Sequence, residues 1–385
     1  MFLLTSMPVG GAETLVVSLV RGLDRNRFAP EVGCLKERGP LGDQLAAEIP
    51  VHCRLLSNKY DPRVLPRLWW LLHSRQIDAV VTVGAGDKMF WGRLAARLAG
   101  VPVVVSALHS TGWPDSVGRL NRMLTPWTDA FIGVADAHVQ HLVEHEHFPR
   151  EKVHAIHNGV DTDRFVPHDD TEIRQELGLS PTAPVVGIVA ALRPEKNHEL
   201  FLTGASRIAR DLPEAQFLVI GDGPLRAELE SLVIKLDLAE RTHFLGSRSD
   251  VPALLSTCDV LALTSHIEAS PVSILEALSC GVSVVAAEVG SVPETVLHGE
   301  TGLLFAPGDA DDFATQALNL LHDCQLRERL GAQGRQHVVK HRSLATMVRG
   351  YETLLLRLYA AKPRAAHTKV RPGVWPDSSA DFGMT

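Results

Sequence analysis

The stretch Val185-Val186-Gly187-Ile188-Val189-Ala190-Ala191-Leu192-Arg193-Pro194-Glu195-Lys196 reads as a strand buried on both faces that runs out into a basic loop. An apolar run without alternation belongs to a parallel sheet covered by helices on both sides. The same pattern returns at Phe217–Ile220, Val260–Leu263 and Val282–Ala287, each time followed by a segment of helical period. It also stands upstream, at Ala79–Val83 and Val101–Val105, and Leu15, Val16, Leu19, Val20 and Leu23 recur at helical spacing after Gly10-Gly11. The reading is α/β: two Rossmann-like, doubly wound domains facing across a cleft. The seam is expected between Asn158 and Pro167, where Asn, Gly, Asp and Pro cluster. This gives an amino-terminal domain over 1–163, a second domain over 164–342, a terminal helix at 343–362 that could cross back, and a mobile Pro/Gly/Ser tail at 363–385.

Length and composition agree with two cores. The 385 residues are 45% hydrophobic and 22% charged, which excludes a disordered or fibrous chain. The net charge of −7 gives no general attraction to nucleic acid. Residues 1–164 hold 18 basic and 17 acidic side chains against 20 and 28 in the remainder, so the amino-terminal half suits an anionic surface better. Five cysteines without a Cys-x-x-Cys pair point to a reduced, cytoplasmic protein. No stretch is long and apolar enough for a membrane span, and Met1–Leu4 reads as a shortened first strand and not as a secretory signal.

Two constellations carry chemistry. Glu268-Ala269-Ser270-Pro271-Val272-Ser273-Ile274-Leu275-Glu276 sets two carboxylates eight residues apart around a proline suited to a helix start. That helix would begin at the carboxyl end of the strand Val260–Leu263, where ligands bind in open α/β sheets, with its free N–H groups facing a phosphate. The bland alternative makes Glu276 a solvated helix residue and Glu268 a cap. Arg193 and Lys196, at the end of the strand that opens the second domain, could grip a pyrophosphate, the guanidinium bidentate and the ammonium as a point charge. Gly221-Asp222-Gly223-Pro224 adds a tight turn but lacks the third glycine of a dinucleotide fingerprint. In the first half, Gly10 and Gly11 sit between strand and helix, and His109 should project from a strand end toward the cleft.

Taken in order, these residues resemble the retaining GT-B glycosyltransferases of family 4, the group 1 glycosyltransferases. The resemblance runs from Gly10 to about Gly308. It includes Gly10-Gly11-Ala12-Glu13, His109, Asn158-Gly159-Val160-Asp161-Thr162-Asp163-Arg164-Phe165, Arg193 with Lys196, the Glu268/Glu276 pair, Gly290-Ser291-Val292-Pro293-Glu294 and Gly299–Gly302. It implies a metal-independent transfer of a hexosyl unit from a nucleotide diphosphate sugar, expected to be a UDP-sugar, with no cofactor. Arg193 and Lys196 would neutralise the leaving diphosphate, Glu276 would hold the ribose, and Glu268 hydroxyls of the transferred sugar. Backbone around Ala269, Ser270, Pro271 and Val272, with Gly10, Gly11 and Gly221, would line phosphate and sugar. Gly246, Ser247 and Arg248 would border the base, and His109 would sit beside the sugar. The chain departs from the family at Ala269 and Ser291, where glycine is usual, and at Ser283, where proline is. Ala269 would narrow the phosphate loop, while the two serines would touch local turns only.

Other readings stay open on sequence alone. The same fold serves nucleotide-sugar 2-epimerases, and a non-catalytic sugar-nucleotide-binding subunit would share the motifs. The acceptor would be a glycan, a glycolipid or a small molecule. Arg63, Arg67, Trp69, Trp70 and Arg75 lie on one helical segment that could meet the inner membrane face, although core packing of the tryptophans is the simpler account. His141 and His145 stand one helical turn apart, but a solvated face explains them better than a metal pair. Asp161-Thr162-Asp163 has the spelling of a metal motif but is expected to shape the turn after Asn158-Gly159.

Overall fold

A computed structural model describes residues 1–56, 61–84, 86–109 and 118–363. Two parallel sheets make up the frame, as the buried apolar runs require. The first holds seven strands in the order β3-β2-β1-β4-β5-β6-β7. These are β1 Phe2–Leu4, β2 Val32–Cys34, β3 Val51–His52, β4 Ala79–Val83, β5 Val103–Leu108, β6 Ala130–Gly133 and β7 Val153–Ala155. The second holds six in the order β10-β9-β8-β11-β12-β13. These are β8 Val185–Val189, β9 Gln216–Ile220, β10 Thr242–Gly246, β11 Val260–Leu263, β12 Ser283–Ala287 and β13 Leu303–Phe305. In each sheet the strand order reverses beside the first strand, which opens a crevice at the carboxyl edge. That crevice is where β1 meets β4 and β8 meets β11.

The helices cover both faces for the reason their period gives. On the helix Gly11–Gly22, Leu15, Val16, Val17, Leu19 and Val20 are buried against β1 and β2 and their neighbours. Burying side chains of this size contributes about 1.5–3 kcal/mol each. The terminal helix Leu344–Ala360 returns to that same core. Met347, Val348, Tyr351, Leu354 and Leu355 pack into it, and the Asp24 backbone N–H donates to Glu352 at 2.8 Å. The chain therefore passes between the domains twice, and the two passages touch: Val160 bridges Ser343, and Leu344 N–H donates to the Val160 carbonyl at 2.7 Å. Of the expected tail, residues 364–385 lie outside the described residues.

One packing expectation fails. Trp69 and Trp70, on the helix Val64–Ser74, are not core residues: they are 39% and 51% exposed, with Leu98 open to solvent as well. The helix buries Val64, Leu68, Leu71 and Leu72 instead, a stripe too narrow to take in the indoles. Nor is the basic charge beside them free. Arg63 and Arg67 pair with Asp61, and Arg75 pairs with Glu31 at 2.7 Å. No helix among the described residues is long and apolar enough to cross a membrane.

Candidate active site

The site begins where β8 and β11, neighbours in the sheet, end together. After β8 the chain makes a single turn at Pro194–Lys196, and Asn197, at φ 50°, caps the next helix by accepting from Leu200 N–H. After β11, Thr264 Oγ1 donates to the Lys196 and Asn197 carbonyls at 3.1 and 3.0 Å. These bonds hold the two loops side by side. The result is an ion pair: Lys196 Nζ lies 2.6 Å from Glu268 Oε1, and Ser265 Oγ donates to the same oxygen at 2.7 Å. Glu268 is buried and the helix after it is capped at Pro271 without a side-chain bond, so Glu268 is not the cap of the bland reading. Arg193, three residues before Lys196, is exposed and makes no ion pair among the described residues. Its positive charge is available at the strand end.

The glycine turns close the same edge. Gly221, at φ 139°, lies so close to the Ala190 carbonyl that a Cβ there would collide with it. Gly221 N–H donates to the Gly246 carbonyl at 2.9 Å, which brings the β9 and β10 loops together. Ser247 is exposed, but Arg248 is committed: it is bidentate to Asp250 at 2.8 and 2.6 Å and reaches Glu176 at 3.0 Å. The Asp250 carboxylate holds the guanidinium above its ordinary range. This loop therefore offers backbone, not the Arg248 charge, to a neighbour.

The Glu268–Glu276 segment is built as the proline suggests. Pro271 is the N-cap of the helix Val272–Ser279, and the segment before it is gripped from two sides. Asn158 Nδ2, from the chain passage, donates to the Ser270 carbonyl at 3.1 Å. Gly290, at φ 52°, packs against the Glu268 carbonyl where no Cβ would fit. Ser291 N–H donates to that carbonyl, and its hydroxyl donates to the carbonyl of Ala269. The serine does more than shape a turn, for it meets Ala269, the other departure from the family. Glu276 has no hydrogen-bond partner for its carboxyl among the described residues. Burial pushes that carboxyl up to about 7, with Arg164 pulling it back.

The first domain brings its own helix start to the same place. A Cβ on Gly11 would lie 3.8 Å from Val272 Cγ2, so the N-termini of the helices Gly11–Gly22 and Val272–Ser279 face each other across the cleft. Free N–H groups and two dipole ends then favour an anion between them. Gly10 is as tight, since a Cβ there would meet Glu13 Oε2 at 2.6 Å. His109 follows β5 directly and is partly exposed at the carboxyl edge of its sheet.

Comparison with known proteins decides what this arrangement belongs to. Residues 9–164 match the description Glycosyltransferase Family 4, and residues 169–337 match Glycosyl transferases group 1. The chain is 30% identical over 306 residues to UDP-Gal:alpha-D-GlcNAc-diphosphoundecaprenol alpha-1,3-galactosyltransferase of Escherichia coli, covering 75% of this chain and 79% of that one. The chain belongs to the group 1 glycosyltransferases. It is also 28% identical to N-acetyl-alpha-D-glucosaminyl L-malate synthase of Bacillus anthracis over 304 residues, 77% of this chain and 78% of the relative. Among solved structures, Anabaena HepE in complex with UDP-glucose superposes with a TM-score of 0.82 at 24% identity, over 92% of this chain and 98% of that one. WaaG, a lipopolysaccharide glycosyltransferase, gives 0.72 at 15%, with 92% and 98% covered. Both likenesses speak to the GT-B fold.

This glycosyltransferase carries cleft residues that its sequence did not advertise. A cavity of about 330 Å³ lies beside Glu268 and Ala269, walled by Gly290 and Ser291 on one side and by Ala137, His138 and His141 on the other. His266, Ile267 and Val289 complete it. His138 is fully buried and lines the cavity, His141 is half-buried and His145, the C-cap of the helix Asp136–Glu144, is exposed, so the His141/His145 pair does lie on a partly solvated face. The rings of His141 and His145 stack at 4.9 Å. The three-residue step from His138 to His141, which puts both on one helix face, was the available signal. Asp161 Oδ1 accepts from the N–H groups of Asp163 and Arg164, each at 3.1 Å, and so closes the turn after Gly159.

Proposed function

We propose that this glycosyltransferase is a retaining, metal-independent hexosyltransferase that takes its sugar from a UDP-sugar and delivers it to a glycan, a glycolipid or a small molecule. The observation that carries the reading is one juxtaposition. Lys196 and Glu268 pair at 2.6 Å, the free Arg193 stands on the same strand end, and two helix N-termini meet beside them.

Arg193 and Lys196 take up the negative charge that builds on the departing diphosphate, the task a metal ion performs elsewhere. Main-chain N–H groups at Ala269, Ser270 and Val272, with Gly10 and Gly11, line the phosphates. Glu276, whose carboxyl lacks a hydrogen-bond partner among the described residues, accepts from the ribose hydroxyls, and the turns at Gly221 and Gly246–Arg248 border the base. Glu268 orients hydroxyls of the sugar while His109 faces the carbon at which the bond breaks. The acceptor oxygen then attacks from the face the diphosphate leaves, so the anomeric configuration is kept. The E. coli relative is named for a UDP-Gal donor, and HepE was solved with UDP-glucose, which supports the choice of base.

A cytoplasmic enzyme with peripheral contact at the inner membrane face suits the exposed Trp69, Trp70 and Leu98, since indoles favour the interfacial layer. The test of the donor is a panel of UDP-glucose, UDP-galactose, UDP-N-acetylglucosamine and GDP-mannose, scored for nucleotide diphosphate release and thermal shift. Release from a UDP-sugar with retention at the anomeric carbon is the expected result. Release from GDP-mannose alone, or an inverted product, refutes the reading.

A further inference from the structure

We infer that Glu294 is a positioning residue that clasps the two domains together over the cavity beside Glu268. Glu294 belongs to the second domain, in the single turn Val292–Glu294. Its carboxylate nonetheless accepts from the N–H groups of Asp136 and Ala137, at 2.9 and 2.5 Å. These amides open the helix Asp136–Glu144 of the first domain, and its N-cap, Ala135, has no side chain able to cap it. The first N–H groups of a helix lack internal partners and sit at the positive end of its dipole. One domain thus supplies the cap that the other lacks.

The surroundings fit a clasp better than a cation site. Asp136, His157 and Glu294 do bring three ligand atoms within 4.8 Å of one another. Both Glu294 oxygens are, however, already bound by amides, and Arg342 Nη2 stands 4.0 Å from one of them. His157 Nε2 lies 3.3 Å from Asp136 Oδ2. His157 and Arg342 flank the two passages of chain between the domains, so the clasp sits over the hinge.

What it joins gives the clasp its bearing on the reaction. The helix it caps carries Ala137, His138 and His141 into the cavity, and the loop just before Glu294 carries Gly290, packed against the Glu268 carbonyl, and Ser291, which bonds the backbone of Glu268 and Ala269. Glu294 therefore sets how near the first domain comes to Glu268. The kinetic consequence rests on the role proposed above for Glu268. Arg193, Lys196 and Glu276 lie within one domain and only Gly10 and Gly11 reach the phosphates from the other, so loss of the clasp should reduce turnover more than it weakens the affinity for UDP.

The test uses the full chain with Glu294→Ala and Glu294→Gln. Amide exchange at Asp136 and Ala137 should accelerate about tenfold or more in the alanine variant, the weight of a charge-assisted hydrogen bond, and less in the glutamine variant, whose amide oxygen still accepts. Spin labels on the exposed Cys324 and on Ser74→Cys, in a Cys53→Ser background, should report longer and broader interdomain distances. With UDP-glucose as probe, kcat should fall about tenfold while the Kd for UDP rises by clearly less than that. Unchanged exchange at the two amides in a folded variant overturns the clasp, and faster exchange with undiminished kcat overturns its positioning role. Should the alanine variant not fold, the glutamine variant decides by the same exchange and distance readouts. If the parent protein itself leaves UDP-glucose untouched, the donor reading fails in the parent, and exchange and distance still decide the clasp.

Discussion

Replacing Glu276 by glutamine should make the protein more stable and a poorer binder of nucleotide. The carboxyl has no hydrogen-bond partner among the described residues, and burial raises it from the usual 4.5 to about 7, against the pull of Arg164. Its charged form is therefore disfavoured in the folded chain and not in the unfolded one. The folded state holds the proton more tightly, so stability contributed by this group is fully present below pH 4.5 and is lost as pH rises through 7. Each tenfold change in acidity is worth about 1.4 kcal/mol, so the loss comes to about 3 kcal/mol at pH 8. Glutamine keeps the shape and removes the titration. An unpaired buried amide returns about 1 kcal/mol of cost, which leaves the variant about 2 kcal/mol ahead at pH 8 and level with or behind the parent at pH 5.

The assay is urea denaturation followed by circular dichroism at pH 5, 6, 7 and 8, with UDP titrations by calorimetry alongside. In the parent, a ribose that donates to the carboxylate binds best when Glu276 is charged, so UDP affinity should weaken below pH 7. In the variant it should be about tenfold lower at pH 8, the value of a hydrogen bond to a charged group, and should lose that pH dependence. Parallel stability curves for the two proteins across the pH range would refute the burial argument. An unchanged UDP affinity would refute the ribose assignment.

Lys196→Ala and Arg193→Ala should each lower turnover about 100-fold, near 3 kcal/mol of transition-state stabilisation, with far-ultraviolet dichroism unchanged. Steady-state rates within twofold of the parent in both would remove the diphosphate role. Transfer should continue at full rate in excess EDTA, and a loss restored by manganese would point to carboxylates such as Asp161 or Asp163 as metal ligands. Trp69→Ser with Trp70→Ser should reduce co-sedimentation with vesicles containing phosphatidylglycerol and leave the thermal midpoint unchanged, because both indoles are already exposed. Equal sedimentation of the two proteins would dismiss this face as the contact.

The fold was legible because its strands are buried on both sides, which makes them short continuous apolar runs, and because each run is followed by a segment of helical period. Lys196 and Glu268 were legible as residues at strand ends. Their pairing was not, since it depends on β8 and β11 being neighbours although 72 residues separate the two side chains. The tryptophans were misread for a related reason. Apolar character says that a side chain would gain from burial, but not which stripe of the helix faces the sheet, and Leu68, Leu71 and Leu72 occupy that stripe. The contact from Glu294 to Asp136 spans 158 residues and two domains, so no local pattern carries it. Nor could the sequence show that Ser291 answers Ala269. Each looked like a separate departure from the family until the loop placed one hydroxyl against the other's carbonyl.

The way the chain joins its domains limits how the site can assemble. If the two sheets were tied by one flexible linker, the helix starts at Gly11 and Val272 could approach from many directions. They are tied at two passages instead, and these are bonded to each other: Val160 N–H donates to the Arg342 carbonyl at 2.9 Å, and Leu344 N–H to the Val160 carbonyl. Gly159 sits so close to the Ser343 carbonyl that a Cβ would lie 2.6 Å from it. A paired crossing of this kind resists sliding and permits rotation about one axis, as hinges at element ends do. Asn158, the next residue back, donates to the Ser270 carbonyl in the segment that leads into the helix Val272–Ser279, so rotation at the hinge and the position of that segment are coupled through one side chain. On the reading proposed above, closing about this axis should exclude water from the cleft while bringing the groups at Gly11, Glu268 and Lys196 into register, one movement accomplishing both.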